Sequence, residues 1–454
     1  MQHSQPTLSH GVVRSMNSSA DSPETPLHPA VKAQKKPFWV RKRSLLIALL
    51  LLIFGVGWGG FQGRRWLQER QFRQQCEEAR RSEDWRTERS AAKAWATQNP
   101  ASGEAWWFAA EAAQELEDPE DIAFCLGQIT PQDPKAIFAY VEKANLEWTI
   151  LNQPLQAVAT SQKVLALDPK VTEIQSRLIS FYAMSLQRAE LIRAIRSAVA
   201  AQGEPREAYV YLLMSDNISF SNGADLNSRW LASSPDEVRF KVALGVNTAA
   251  SIVRSADATS SEKVAELEQE AERQLQWFLD SIPHDTVLLT YLMNRSYEAG
   301  NVARVGELLQ NVNESGIDDH MVWVYRGWYH IQMNELPQAQ EAIEEALRLN
   351  PLSGLARHEY ARLLRLQQKP AAEVAQQQQL AAAGKEIRAK LLLQTNVREI
   401  PWEFFGQIAR YAMDCGDQLI AENLYRRIGS EPGQPVPVSN RWRKLQADVE
   451  PQPE

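Results

Sequence analysis

Residues 321–351 read MVWVYRGWYHIQMNELPQAQEAIEEALRLNP, and this stretch decides the architecture. It reads as two short helices joined by a tight turn. Two antiparallel helices approach closely only where small side chains meet, and Gly327 and Ala339 are small. Pro351 has no backbone N–H and ends the second helix. One such hairpin cannot bury its own apolar face, so further hairpins must stack on it.

The spacing of these residues carries a resemblance. Trp323, Gly327, Ala339 and Pro351 fall at the offsets of the pattern W-x2-L-G-x2-Y…A-x3-F…P, with Arg326, His330 and Ile343 in place of its Leu, Tyr and Phe. On these residues the stretch resembles a tetratricopeptide repeat (TPR). The resemblance implies an all-α, TPR-like α-solenoid of about ten helical hairpins. Internal evidence supports the same period. Asn99-Pro100, Asp133-Pro134, Asp168-Pro169 and Glu204-Pro205 punctuate the chain at intervals of 34, 35 and 36 residues. LNQPLQAVATSQKVLALDP, ending at Pro169, lies over MNELPQAQEAIEEALRLNP, ending at Pro351. Asn152 and Asn334 then stand at the ends of their first helices, where a residue tolerant of left-handed backbone is wanted.

The remaining units follow more loosely. Trp106, Ala109, Ala110 and Ala113 open a unit closing at Pro134, and 171–186 with 189–202 form another. Segments 205–216 and 222–231 suggest a short pair, whereas 236–254 and 261–281 exceed the repeat length. The rhythm resumes with 285–298 and 302–312 across Gly300-Asn301. Beyond Pro351, 353–367 and 371–382 form a pair. Trp402, Phe405 and Gly406 then reproduce W-x2-L-G, but Ala421 stands three residues further from Gly406 than Ala339 does from Gly327, which predicts an extra turn or loop. The expected organisation is a disordered tail (1–36), a basic flank and transmembrane helix (37–63), an N-terminal TPR-like array (64–235), a diverged long hairpin (236–283), a C-terminal array (284–430) and a flexible tail (431–454).

The 454 residues exceed what one compact core normally serves, a limit that a solenoid avoids by growing along one axis. The net charge is −7; residues 1–43 hold +5 and the rest −12. An acidic body argues against a phosphate-binding surface, so no nucleic-acid partner is expected. An RNA-binding helical repeat protein is the alternative from that class. Cys76, Cys125 and Cys415 lie far apart and form neither a zinc motif nor a disulfide framework.

Residues 1–36 are polar and carry Pro6, Pro23, Pro26 and Pro29, a composition that cannot build a core. After KKPFWVRKR comes the run 44–61, SLLIALLLLIFGVGWGGF, with no charged residue. A membrane-spanning helix needs about 17–25 mainly apolar residues. Trp39 and Trp58 sit where interfacial anchors belong. The run is longer than a signal-peptide core and no A-x-A-like site follows, which favours an uncleaved single N-terminal transmembrane helix. Lys32, Lys35, Lys36, Arg41, Lys42 and Arg43 precede it, against Arg64, Arg65, Arg70 and Arg73 after it. Positive residues favour the cytosolic side, so the repeats are expected outside the cytosol, on a bacterial inner membrane.

No catalytic signature is present. The seven histidines form no H-E-x-x-H or close metal pair, and no Walker loop or G-x-S-x-G occurs. The sequence therefore predicts no enzyme, no cofactor and no metal; an enzyme with a cryptic site is a further alternative. The acidic pairs Asp318-Asp319 and Glu344-Glu345 read as solvated faces. In TPR proteins the first helix of each unit lines a concave face. By that resemblance, Met321, Val324, Trp328 and Ile331 line it in one unit, and Ala139, Glu142, Leu146 and Ile150 in another. Such a groove would take a segment of another protein. The competing reading for Trp328 is burial against the neighbouring hairpin. The expected function is a non-catalytic scaffold or adaptor tethered to a membrane, serving secretion, translocation or surface-polymer assembly, with a cytosol-facing regulator of a membrane complex as the alternative.

Overall fold

The computed structural model describes residues 63–218, 222–255, 261–394, 396 and 400–429. The tail 1–36, the apolar run 44–61 and the segment 431–454 lie outside the described residues. The chain divides into two units, Met1–Gln68 and Glu69–Glu454. In the first, the described residues 63–68 are helical. No helix among the described residues is long and apolar enough to cross a membrane.

The second unit is a chain of helical hairpins. Four come in succession. They are α1 (69–81) with α2 (Trp85–Gln98), α3 (Gly103–Glu115) with α4 (Pro119–Gly127), α5 (Ala136–Trp148) with α6 (Pro154–Leu167), and α7 (Thr172–Met184) with α8 (Arg188–Ala201). An irregular middle follows, made of α9 (Ala208–Leu213), a 3-10 turn (Ser215–Asn217), α10 (Gly223–Ser233), α11 (Val238–Ser255) and α12 (Ser261–Ser281). Four more hairpins complete it. These are α13 (Thr286–Glu298) with α14 (Val302–Gln310), α15 (His320–Gln332) with α16 (Leu336–Leu349), α17 (Gly354–Leu366) with α18 (Ala371–Leu392), and α19 (Trp402–Asp414) with α20 (Gln418–Gly429). The described residues thus form an all-helical, TPR-like solenoid.

One turn geometry generates the repeat. Each hairpin turns on a single left-handed residue: Glu83, Glu117, Asn152, Leu186, Gly300, Asn334, Gln368 and Gly416. Successive positions differ by 34, 35 and 34 residues in the first array, and by 34 and 34 from Gly300 to Gln368. The left-handed residue lets the next N–H fold back onto the helix it leaves. The Glu335 N–H donates to His330 O at 2.8 Å, the Gln187 N–H to Tyr182 O at 2.8 Å and the Asp417 N–H to Ala412 O at 2.8 Å. Asn152 and Asn334, singled out in the sequence for this conformation, have φ of 48° and 60°. Acidic or amide side chains then cap the second helices: Asp84 accepts from the Thr87 N–H, Asp118 from Asp121 and Asn301 from Arg304.

Counting seven residues back from each left-handed position finds a buried residue of the first helix. These are Cys76, Ala110, Asn145, Ile179, Met293, Gly327, Ala361 and Ala409, all buried. At Gly327 a Cβ would stand 2.5 Å from Ile343 Cγ1, so the glycine is required by the close approach. The same count corrects the last hairpin. Ala409, not Gly406, is the counterpart of Gly327, and a Cβ at Gly406 would meet nothing within 4 Å. No extra turn exists there. The register expected from Trp402 and Gly406 was displaced by one helical turn, because Phe405 fills the place that Trp323 takes in α15.

Two further expectations change. Segments 205–216 and 222–231 do not form a hairpin: α10 packs on α11, and α9 packs on α7, α8 and α18. Gly223 permits the first contact, since a Cβ there would lie 2.6 Å from Asn247 Oδ1. The helix expected to end near Ala382 continues to Leu392. Helix formers carry it on, and Gly384 makes room for the Tyr411 hydroxyl, which would lie 2.5 Å from a Cβ. The middle is anchored by aromatic packing: Phe181 stands 5.2 Å from Trp230 and 5.4 Å from Trp148, ring centre to ring centre.

Candidate functional site

The inner side of the second array is not an open groove. Segment 204–218, the link from α8 through α9 to the 3-10 turn, lies against the first helices of the later hairpins. All six residues of α9 are buried. Tyr209 packs edge-on against Phe405 of α19 at 5.9 Å. Glu204 accepts from the Tyr209 hydroxyl at 2.9 Å and pairs with Arg427 of α20 at 3.1 Å. Arg206 donates to Ile400 O at 2.7 Å.

Asp216, in the 3-10 turn, is the hub of this contact. His320 Nε2–H, at the start of α15, donates to Asp216 Oδ1 at 2.9 Å. The Leu355 N–H, at the start of α17, donates to Oδ2 at 3.1 Å, and Arg388 of α18 stands 3.5 Å from the same oxygen. Ser215 accepts from Asn350 at 3.0 Å, while its carbonyl accepts from Arg188 at 2.7 Å. Arg188 also pairs with Asp319 at 2.6 Å. Burial by itself would raise the Asp216 carboxyl. The hydrogen bond and charge of His320, with Arg388 and the Leu355 amide, outweigh it and hold the group at about 2. Asp319 is therefore no solvated acid, as its place in an Asp-Asp pair suggested; Asp318 is exposed, and Asp319 is buried beneath Arg188.

The expected groove residues are themselves buried, Trp328 and Ile331 in contacts between hairpins. Met321 and Val324 are wholly buried, and Trp328 and Ile331 are each 5% exposed. Trp328 packs at 5.2 Å against Tyr297 of the preceding hairpin. These four side chains are core, and they offer no free apolar lining to a partner. Between the 3-10 turn and α13 a cavity of ≈ 50 Å³ remains, bounded by Arg188, Asp216, Thr290 and Tyr325 among others. It is far below the roughly 300 Å³ at which ligand pockets begin.

In the first array the corresponding residues sit differently. Leu146 is buried and Ile150 half-buried. Glu142, on α5, is 8% exposed, and no ion pair or hydrogen bond reaches it among the described residues; its Oε2 is buried without a partner. One turn along the same face, Asn145 donates through Nδ2 to Glu173 Oε1 of α7 at 3.1 Å. Glu173 Oε2 and Asn145 Oδ1 are likewise buried and unpartnered. Burial, and then the charge of Glu173, push the Glu142 carboxyl up to about 8. The neighbouring acids are neutralised: Glu104 meets Arg73, Glu88 and Glu111 meet Arg80, and Glu147 meets Lys143.

No other arrangement presents obvious chemistry. No group of three or more His, Cys, Asp or Glu among the described residues is placed to hold a metal ion. All three cysteines are buried. Burial, with Glu88 and Asp121 nearby, pushes the Cys76 and Cys125 thiols up to about 12, which leaves them unreactive near neutral pH.

No protein-family model matches the chain, and no curated protein matches it. Solved structures that it resembles include a tetratricopeptide repeat protein from Parabacteroides merdae, at 12% identity over 66% of this chain and 99% of that one, with a TM-score of 0.24. Yeast Tom70 gives 10% identity over 84% and 94%, with a TM-score of 0.26. A human IFIT1 dimer with m7Gppp-AAAA gives 14% over 78% and 74%, with a TM-score of 0.29. At such TM-scores the likeness carries no argument, and the fold rests on the hairpins described above.

Proposed function

We propose that this chain is a non-catalytic scaffold, tethered to a membrane through residues 44–61, that engages other proteins on the inner side of its first array. The observation that supports this most is the unequal state of the two arrays. The second is filled by the chain's own segment 204–218, with its acids matched by Arg188, Arg196, Arg388 and Arg427. The first keeps a buried acid, Glu142, that no cation among the described residues meets, beside unmet acceptor atoms of Asn145 and Glu173. Such groups are costly unless a partner completes them. Their acidity also disfavours a nucleic-acid backbone, which attracts Lys and Arg. The uncharged run 44–61 and its basic flank support the tether and favour repeats that face outside the cytosol of a bacterial envelope.

Crosslinking in intact membranes tests this reading. A photoreactive residue replacing Ser180 of α7 should capture a discrete protein adduct. The same residue replacing Gln340 of α16 should capture none. An adduct set dominated by nucleic acid, or equal capture at both positions, would overturn the proposal.

A further inference from the structure

Among the buried acids of the described residues, Glu142 stands apart. Glu88, Glu147, Glu204, Asp319, Glu359 and Asp417 each lie within ion-pair distance of an Arg or Lys, and Glu207 is hydrogen-bonded to Ser176. Glu142 has neither kind of partner. Beside it, Glu173 Oε2 and Asn145 Oδ1 are buried and unmet. The notch between α5 and α7 therefore holds three buried acceptor atoms on three side chains, and the one amide donor there is already spent on Glu173. Its complement is a compact, donor-rich cation. A guanidinium offers five N–H donors and an ammonium three.

We infer that the notch formed by Glu142, Asn145 and Glu173 receives the lysine or arginine side chain of a partner segment laid along α5 and α7. This rests on the reading of the first array as the partner face, and it names the chemistry of that partner. A cation placed between Glu142 and Glu173 lets Glu142 ionise beside Glu173 and satisfies the orphaned oxygens together. Glu173 on α7 is the charged group that faces Glu142, since Lys143 on its own helix is committed to Glu147.

The test uses the full chain in detergent, panned against short random peptides displayed on phage. Wild type should enrich peptides with Lys or Arg at one fixed position. Against Glu142→Gln or Glu173→Gln those peptides should bind about tenfold more weakly or worse, the loss of a charge-assisted contact. Folding is checked by melting. Glu142 is raised in the folded state, so its ionisation removes stability as pH rises from its ordinary range towards about 8. Glu142→Gln should therefore melt no lower than wild type at neutral pH and higher above pH 8, which separates lost binding from lost structure. Enriched peptides without a fixed cation, or equal binding to wild type and both variants, would overturn the inference and leave the scaffold reading standing. A library that yields no binder, together with empty membrane crosslinks, would overturn both.

Discussion

Replacing Asp216 by Ala should destabilise the second array by about 3–5 kcal/mol, the usual loss when one partner of a buried charged pair is removed. The size follows from what stays behind. The side chain of His320 is fully buried, Arg388 is four-fifths buried, and the Leu355 N–H caps α17 through this carboxylate. None has another carboxylate to turn to in the contacts described. Asp216→Asn keeps the shape and one acceptor, so it should lose less. The acid dependence has a definite sign. Asp216 is held below its ordinary range, so its contribution is complete above about pH 4 and disappears as the pH falls towards 2. Denaturant titrations at pH 7 and pH 3 should therefore show a gap between wild type and Asp216→Asn that shrinks on acidification. A gap independent of pH would mean that the carboxylate charge does not hold the turn.

Trp328→Ala should be as severe, about 3–5 kcal/mol, because truncating a buried tryptophan leaves a cavity that packed helices cannot collapse into. Its indole is 5% exposed and lies on Tyr297, whose hydroxyl donates to Glu359 of α17 at 2.8 Å. Three successive hairpins meet there. The loss should appear as an earlier unfolding transition of the second array. Partner capture at Ser180 should persist under conditions where the first array stays folded. Weakened capture with an unchanged melt would restore Trp328 to the role of a groove residue.

The hairpin rhythm was legible because turn chemistry is local. Asn152 and Asn334, with prolines after the second helices, mark one unit each, and the left-handed residues stand where the spacing places them. Register within a hairpin was less legible. Gly406 and Ala409 are both small, and only the distance back from Gly416 shows which one faces the partner helix. The lining of the second array was legible only in the burial expected for Trp328 as the alternative to a groove role. An apolar residue on a first helix serves equally as groove or as core, and what covers it is decided elsewhere in the chain. Asp216 lies 104 residues from His320, 139 from Leu355 and 172 from Arg388. No periodicity reports such contacts. A weak signal did exist in YVYLLMSDNIS, where a nearly continuous apolar run ends in an acid. Glu142 was named by its register in the resemblance, and the structure adds that no cation among the described residues answers it.

The account turns on whether segment 204–218 fills the second array. Amide hydrogen exchange in the full chain measures this directly. Amides of α9 and of the 3-10 turn, 208–217, should exchange as slowly as those of α15, because they open only when the array does. Exchange of 208–217 as fast as that of an exposed loop, with α15 still protected, would show the hollow to be open and would leave the faces of α15, α17 and α19 that Asp216 and Tyr209 meet free for a partner.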